Sequence, residues 1–321
     1  MFFDILTVKT QNKGSGGIML DFKDLTYIVA IAKYQNITKA AESLFITQPT
    51  LSKFLQNMEK NLGQKLFRKL GNRFLLTYAG ERYVSKAIEI LNLKKELDQE
   101  MGDIIKNNAG SLKIAFPSMR GTYMLPCTLP IFHSLYPNVT LDILEANSGI
   151  LEEKILNGEI DLAFFNLPIR SADIDHEIIS HEEVLLVLSA SHPLARSGIR
   201  KEGCRYPWMD LHMVKEEPFI LQIPGQRTRH TVDQIFKDNG LIPRIKLQTS
   251  NIHASVELAS KGYGACFVTE THLKHIHLEK KISYFSVGDP CTTVDFVAAF
   301  RRGSYIPYHA KEYIKIVKDF T

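Results

Sequence analysis

From Ser111 onward the sequence alternates strand-like and helix-like segments, and the alternation runs through twice. "SLKIAF", "VTLDILEA" and "EIDLAFF" have strand character and are separated by helical "TLPIFHSL" and "ILEEKIL". About 105 residues later "EPFILQI", "PRIKLQT" and "GACFV" follow the same rhythm, with "TVDQIFKD" and "HASVELAS" between them. Pro137 and Pro243 precede matching strands, and Gly158 and Gly262 end matching helices. Each strand in such a series buries its apolar surface under a helix, so the pattern predicts two α/β lobes of similar design. Ligands of these sheets bind beyond the carboxyl ends of the strands, and two facing lobes turn that rim into a cleft.

The first third follows a different pattern. Leu25, Ile28, Val29 and Ala32 mark one amphipathic helix, and Ile37, Ala40, Ala41 and Leu44 a second, short one. The paired alanines let another helix cross closely. "FIT" then turns the chain into "ITQPTLSKFLQNMEKNLG", where Leu51, Phe54, Leu55, Met58 and Leu62 share a face and Thr47 is the expected N-cap. Two helices joined by a tight turn and braced by a third predict a helix-turn-helix. "LFRKLGNRFLLT" places apolar segments on either side of Gly71-Asn72, which predicts a β-hairpin wing with Arg68, Lys69 and Arg73 around its tip.

The chemistry of the third helix is specific. Its N-terminal, non-buried positions are Gln48, Pro49, Thr50, Ser52 and Lys53, with no exposed carboxylate expected before Glu59. The second helix of a helix-turn-helix enters the major groove with its N-terminal residues against base edges. There Gln pairs with adenine, Ser and Thr bond several bases, and Lys meets guanine or phosphate. Proline in a first helical turn loses no needed N–H, and first-turn amides can face phosphate. Arg73 suits the minor groove, and Arg68 and Lys69 suit phosphate. Thr38, at the start of the preceding helix, joins the predicted DNA contacts along with Thr47.

From Thr77 to about Lys106 the pattern is one long helix. Tyr83, Ala87, Ile90, Leu97, Met101 and Ile104 recur at four- and three-residue steps, with Lys94 as the polar seam position. A lone helix of this length has no core, so a partner helix is expected. "NNAG" then reads as a hinge.

Charge separates the two parts. Residues 1–109 carry a net charge of +5 and residues 110–321 a net of −1. A basic module joined to a neutral one predicts a polyanionic partner for the first module only. No apolar run reaches the length of a membrane span, and "MFFDILTVKT" lacks the basic leader of a signal peptide, so a cytoplasmic protein with no membrane partner is expected. Residues 1–18 end in flexible "NKGSGGI"; they are either an arm or lie upstream of a start at Met19. The four cysteines, Cys127, Cys204, Cys266 and Cys291, form no CxxC pair, and reduced thiols with neither zinc site nor disulfide are expected. A redox role for Cys204 is disfavoured because no partner lies nearby in sequence.

The stretch "DLTYIVAIAKYQNITKAAESLFITQPTLSKFLQNMEKNLGQKLFRKLGNRFLLTYAG" resembles the N-terminal domain of LysR-type transcriptional regulators. The marks are Ala40-Ala41, Thr47-Gln48-Pro49-Thr50-Leu51-Ser52, Leu62-Gly63, Leu66-Phe67 and Leu76-Thr77-x-Ala79-Gly80. The expected fold is therefore α/β: a winged helix-turn-helix over 19–77, a dimerising linker helix over 78–106, a hinge at 107–110 and a two-lobed effector domain over 111–321. That domain is similar to periplasmic binding proteins, with lobe I about 111–165 and 269–321 and lobe II about 166–268.

The resemblance implies a homo-oligomer, a dimer or tetramer, on dyad-symmetric promoter DNA. A small inducer in the interlobe cleft would alter DNA bending and contact with RNA polymerase. By position the cleft residues are Ser118, Met119, Arg120, Asn147 and Ser148 from one lobe. Arg227, Thr228, Thr249, Ser250 and Asn251 come from the other, with Thr269 where many relatives have proline. Hydroxyls and amides at helix starts near Arg120 suit a carboxylate effector; for each of these residues ordinary helix capping is the competing role. No cofactor is expected. Residues 196–211 form a longer connection than is usual in the family, a cover for the cleft or for an oligomer interface.

Enzyme motifs are absent: there is no HExxH, GxSxG or Walker sequence, and His275-x-His277 reads as exposed helix end or loop rather than a metal site. The alternative is a small-molecule binding protein, or an enzyme of binding-protein fold, whose N-terminal module only assists assembly. Steep salt dependence on promoter DNA separates the two.

Overall fold

The computed structural model describes residues 21–104 and 110–321. The 1–18 extension, the side chain of Ile104 and residues 107–109 of the expected hinge lie outside the described residues. The chain divides within its linker helix into an N-terminal unit ending at Asp98 and a C-terminal unit beginning at Gln99.

In the N-terminal unit α1 (Phe22–Tyr34), α2 (Ile37–Ser43) and α3 (Gln48–Leu62) are followed by the hairpin β1 (Phe67–Leu70) and β2 (Arg73–Leu76) and by α4 (Tyr78–Ile104). Asp21 and Asn36 cap the first two helices, accepting from amides two and three residues on. Ala40 and Ala41 are wholly buried at the crossing with α3, whose Leu51 and Leu55 close the same core as Ile28 and Ile31. Each fully buried Leu or Ile contributes about 1.5–3 kcal/mol. The hairpin pairs Phe67 with Leu76 and Leu70 with Arg73, and Gly71 turns with φ 59°. Gly80 sits where a side chain has no room: a Cβ there would lie 2.0 Å from the Leu66 carbonyl oxygen. Thr77 fixes this approach, its hydroxyl donating to the Lys65 carbonyl at 2.6 Å and accepting from the Gly80 amide.

Along α4 the predicted seam changes character. Ala87 is buried and Tyr83 and Ile90 are half-buried, Tyr83 packing against the N-terminal core, whereas Leu97 and Met101 are exposed.

In the C-terminal unit the elements are β3 (Gly110–Phe116), α5 (Ser118–Leu135), β4 (Val139–Glu145), α6 (Ser148–Leu156), β5 (Leu162–Asn166) and β6 (Ile174–Ser189). They continue with β7 (Pro218–Gln222), α7 (Arg227–Asp238), β8 (Arg244–Thr249), α8 (Ile252–Ser260), β9 (Ala265–Thr269), α9 (Glu270–Lys274), β10 (Ile282–Ser286), β11 (Thr293–Arg301) and α10 (Tyr308–Phe320). The predicted strands and helices all form. Gly110, placed in the hinge from sequence, instead opens β3.

The sheet order is β4-β3-β5-β11-β6-β9-β7-β8, with β10 also on β6. Strands β4, β3 and β5 are parallel, as are β8, β7 and β9. The long β6 serves both halves: Ile174 to Glu183 pair with β11, and Val184 to Ser189 with β9 and β10. The lobes therefore exchange chain at Glu183–Val184 and at Thr292–Thr293. Lobe I holds 110–183 and 293–321, and lobe II holds 184–292. This corrects the boundaries read from sequence: 166–183 belongs to lobe I and 269–292 to lobe II, because the strand pairing of β6 decides membership. Each lobe has an apolar core on either side of its sheet, with Phe116, Phe132, Phe164 and Tyr313 on one side of lobe I and Phe219, Phe236 and Phe267 on one side of lobe II.

The 196–211 connection packs on lobe II. Ile199 bridges Trp208, Trp208 bridges Ser286 of β10, and the Trp208 indole donates to the Gly288 carbonyl at 2.7 Å. Arg205 and Tyr206 both bond the buried Glu270 carboxylate. Cys204 and Cys291 form a disulfide, their Cα atoms 5.7 Å apart. The sequence expectation of four unpaired thiols is corrected here: the partner of Cys204 lies 87 residues away, beyond any local spacing rule. Cys127 is exposed and free, Cys266 buried and free.

Candidate DNA-reading surface and effector cleft

The N-terminus of α3 presents its polar residues outward. Thr47, Gln48, Pro49, Thr50 and Lys53 are exposed, Ser52 is half-buried, and Leu51 between them is fully buried. The first turn contains no acidic residue. Thr47 occupies the N-cap position without capping by its side chain; its hydroxyl pairs with that of Thr50 at 2.8 Å. With the two hydroxyls engaged on each other, no side chain caps the first turn, and the amides of Gln48 and Thr50 are left for an external partner. Thr38 is exposed at the start of α2, and Arg68, Lys69 and Arg73 are exposed on the wing. Lys53, Arg68, Lys69 and Arg73 have no ion-pair partner among the described residues.

Glu59 explains how a carboxylate is kept off this face. It is 6% exposed and turned inward, accepting from the amides of Leu66 at 2.9 Å and Phe67 at 3.1 Å and from Lys65 at 2.6 Å. Sequence reading placed it on the outer face; it instead ties α3 to the base of the wing.

In the C-terminal unit the predicted cleft residues all fall at the carboxyl ends of strands. Ser118, Met119 and Arg120 follow β3, and Asn147 and Ser148 follow β4. Arg227 and Thr228 follow β7, Thr249, Ser250 and Asn251 end or follow β8, and Thr269 ends β9. Met119, from lobe I, packs against the lobe II cluster of Ile252 and Val256. Ser118 is exposed and Thr228 half-buried. Two residues serve as caps: Asn147 accepts from the Ile150 amide and Asn251 from the Ala254 amide. Thr249 holds the Asn251 amide, and the Ser250 carbonyl accepts from Gln226. Thr269 is buried, its hydroxyl 2.7 Å from His272 Nδ1.

Arg120 is not available to a ligand, which corrects the role predicted for it. Its guanidinium is 1% exposed, donates twice to Glu182 at 2.8 and 2.9 Å and once to Asn166 at 2.8 Å, and stacks 3.9 Å from the Phe296 ring centroid. Thr271 donates to the same Glu182 at 2.6 Å. Burial opposes ionisation of Glu182, but the charge and hydrogen bonds of Arg120 and the bond from Thr271 hold it down at about 2. His272 alongside is pushed down to about 3 by burial and by the Arg120 charge, so it is neutral at pH 7. Arg227 is likewise engaged: it bonds Glu152 and the carbonyls of Asn166 and Pro168, and burial lowers it to about 10.

A cavity of about 370 Å³ remains at the strand ends, lined from lobe I by Ser148, Glu152 and Arg170 and from lobe II by Gln226, Arg229 and His230. Glu152 is neutralised by Arg227, and Asp233 by Arg229 at 2.7 Å. The Arg170 guanidinium has no ion-pair partner among the described residues and leaves the cavity electropositive. The N-termini of α6 and α7 meet the same space. Arg170 and Glu182 were missed from sequence; only the fold brings them to the rim. His275 is not exposed loop: it is half-buried, stacked between Tyr123 and Phe320. Among the described residues no cluster of three or more His, Cys, Asp or Glu could hold a metal, and no helix is long and apolar enough to cross a membrane.

Comparison with known proteins agrees with this division. Residues 22–81 match the bacterial regulatory helix-turn-helix family of lysR type, and residues 106–321 match the LysR substrate binding domain. An uncharacterized HTH-type transcriptional regulator YcgK of Bacillus subtilis is 28% identical over 310 residues, 94% of each chain. A probable RuBisCO transcriptional regulator of Cyanophora paradoxa is 30% identical over 259 residues, covering 77% of this chain and 75% of the relative. Among solved structures, a full-length cysteine-substituted variant of OxyR from Pseudomonas aeruginosa superposes with a TM-score of 0.70 at 23% identity over 94% of both chains. Full-length CbnR in complex with its target DNA does so at 0.59 and 22%, over 94% of this chain and 100% of that one. The chain belongs to the LysR family of transcriptional regulators, with a DNA-binding helix-turn-helix domain and an effector-binding domain of two α/β lobes.

Proposed function

We propose that residues 47–53 read base edges in the major groove of promoter DNA, with Thr38 beside them and Arg68, Lys69 and Arg73 on the flanking backbone and minor groove. The observation that supports this most is the exposed, carboxylate-free N-terminus of α3 with its uncapped first turn. The protein works as a homo-oligomer joined through the exposed Leu97–Met101 end of α4, and it acts in the cytoplasm, where the promoter is. It alters the access of RNA polymerase and has no catalytic step of its own.

The effector is a small anion, a carboxylate being the simplest, seated in the cavity at the strand ends. Arg170 and the α6 and α7 N-termini supply the positive potential there, in place of the Arg120 expected from sequence.

The test is binding of the full-length protein to its own upstream DNA across a salt series. A steep loss of affinity with salt is expected. Gln48→Ala or Ser52→Ala should weaken or relax site-specific binding by about 1–3 kcal/mol. Footprints unchanged in both variants would remove these residues from the readout.

A further inference from the structure

The Cys204–Cys291 bond joins two surface segments. Cys204 lies in the 196–211 connection, and Cys291 in the turn between β10 and β11, one residue before the Thr292–Thr293 crossing. Both cysteines are half-exposed, neither being sealed in the core. Met209 and Leu211 of this connection and Val287 of this turn already anchor both segments in the apolar core of lobe II, so the bond is not a staple for a missing core. A DNA-bound regulator works in the compartment where thiols are kept reduced, and disulfides found there belong to sites that cycle.

The surroundings tell what such a cycle would move. The Arg205 amide donates to Glu183 at 2.7 Å, beside the Glu183–Val184 crossing. Arg205 and Tyr206 hold Glu270, which adjoins Thr271, and Thr271 in turn holds Glu182. On the other side Lys201 pairs with Asp289 at 3.1 Å and lies over the Trp208 ring, whose indole is fixed to Gly288. The bond therefore sits between a surface connection and both strands that carry one lobe into the other.

We propose that Cys204 and Cys291 form a reversible dithiol–disulfide site, oxidised by small disulfides and reduced by dithiols, whose state sets how firmly the 196–211 connection is fastened to the interlobe crossing. In the oxidising direction one protein thiolate attacks a sulfur of an external disulfide, forming a mixed disulfide and expelling one thiolate. The second protein thiolate attacks the protein-bound sulfur, forming Cys204–Cys291 and expelling the other thiolate. The two protons from the protein thiols end on the two expelled groups. Two protein thiols are oxidised, and one small disulfide is reduced to two thiols. This goes beyond the DNA-reading and effector assignments and depends on neither set of contact residues.

The experiment uses the full-length wild-type protein, incubated with oxidised glutathione and then with dithiothreitol. Native thiol labelling should read three reactive thiols after reduction, Cys127, Cys204 and Cys291, and lose both Cys204 and Cys291 after oxidation, because Cys266 is buried; intact mass should find glutathione on the lone Cys127 at most. Peptide mapping should find Cys204 joined to Cys291. Trp208 is the only tryptophan of the chain, so its emission reports on this connection alone and should change on oxidation and revert on reduction. Cys204→Ser and Cys291→Ser should each hold the emission at one value under both treatments. A count that stays at three after oxidised glutathione overturns the proposal. So does a bond that dithiothreitol does not break in the folded protein, or an emission change that persists in either serine variant.

Discussion

Replacing Glu182 with glutamine should destabilise the effector-binding domain more than any surface substitution in it. The change leaves the Arg120 charge 1% exposed, with Asn166 and the Phe296 face as its remaining partners. Removing one member of a buried ion pair costs about 3–5 kcal/mol, because the other charge stays buried and uncompensated. The titration of Glu182 gives a similar size. Its carboxyl falls from 4.5 to about 2 on folding, which corresponds to about 3 kcal/mol. Because the folded value is the lower one, this stability is fully present above the unfolded value and is lost as pH falls toward about 2. Replacing both partners together, Arg120→Met with Glu182→Leu, should recover most of the loss, since an apolar pair needs no desolvation. The assay is urea unfolding of the full-length protein followed by Trp208 emission, for wild type, both single variants and the double, at neutral pH and near pH 3. The reasoning fails if Glu182→Gln lies within about 0.5 kcal/mol of wild type at neutral pH. It also fails if the double variant is no more stable than the worse single one.

Glu59→Ala should destabilise the N-terminal unit by about 1–3 kcal/mol for each buried amide it leaves unpaired, those of Leu66 and Phe67, read as an earlier helix-loss transition by circular dichroism. Leu97→Glu, on the exposed end of α4, should shift sedimentation of the intact protein to a smaller species, and persistence of the wild-type oligomer would count against the seam. Arg170→Ala should weaken binding of a small carboxylate effector by roughly tenfold or more, the worth of one charge-assisted hydrogen bond, judged by thermal shift of the full chain; an unchanged shift would move the site elsewhere.

The features legible in sequence are those whose cause is local. Ala40-Ala41 announces a helix crossing, Gly71-Asn72 a hairpin, and the repeated strand–helix rhythm two lobes, because each signal lies within a few residues of the structure it specifies. The misread features are set by partners far along the chain. "IDHEIISHEE" begins a strand that is polar and carries no clean alternation; only its pairing with β11, more than a hundred residues on, makes it the crossing between lobes. Arg120 follows the first lobe strand, where ligand-binding groups are expected, and nothing nearby reveals that Glu182, 62 residues later, already occupies it. The same holds for Cys204 and Cys291. The strand ends of a two-lobed sheet are where a ligand enters and also where the chain must pass between lobes, so the same rim hosts two kinds of polar residue. Arg120 and Glu182 satisfy each other within lobe I, and Thr271 of lobe II joins them through Glu182; Arg170 has no counter-ion among the described residues and lines the cavity. Residue type and position were the same signal for both, and the counter-ion, fixed only by tertiary pairing, separates the structural arginine from the one free to meet an effector.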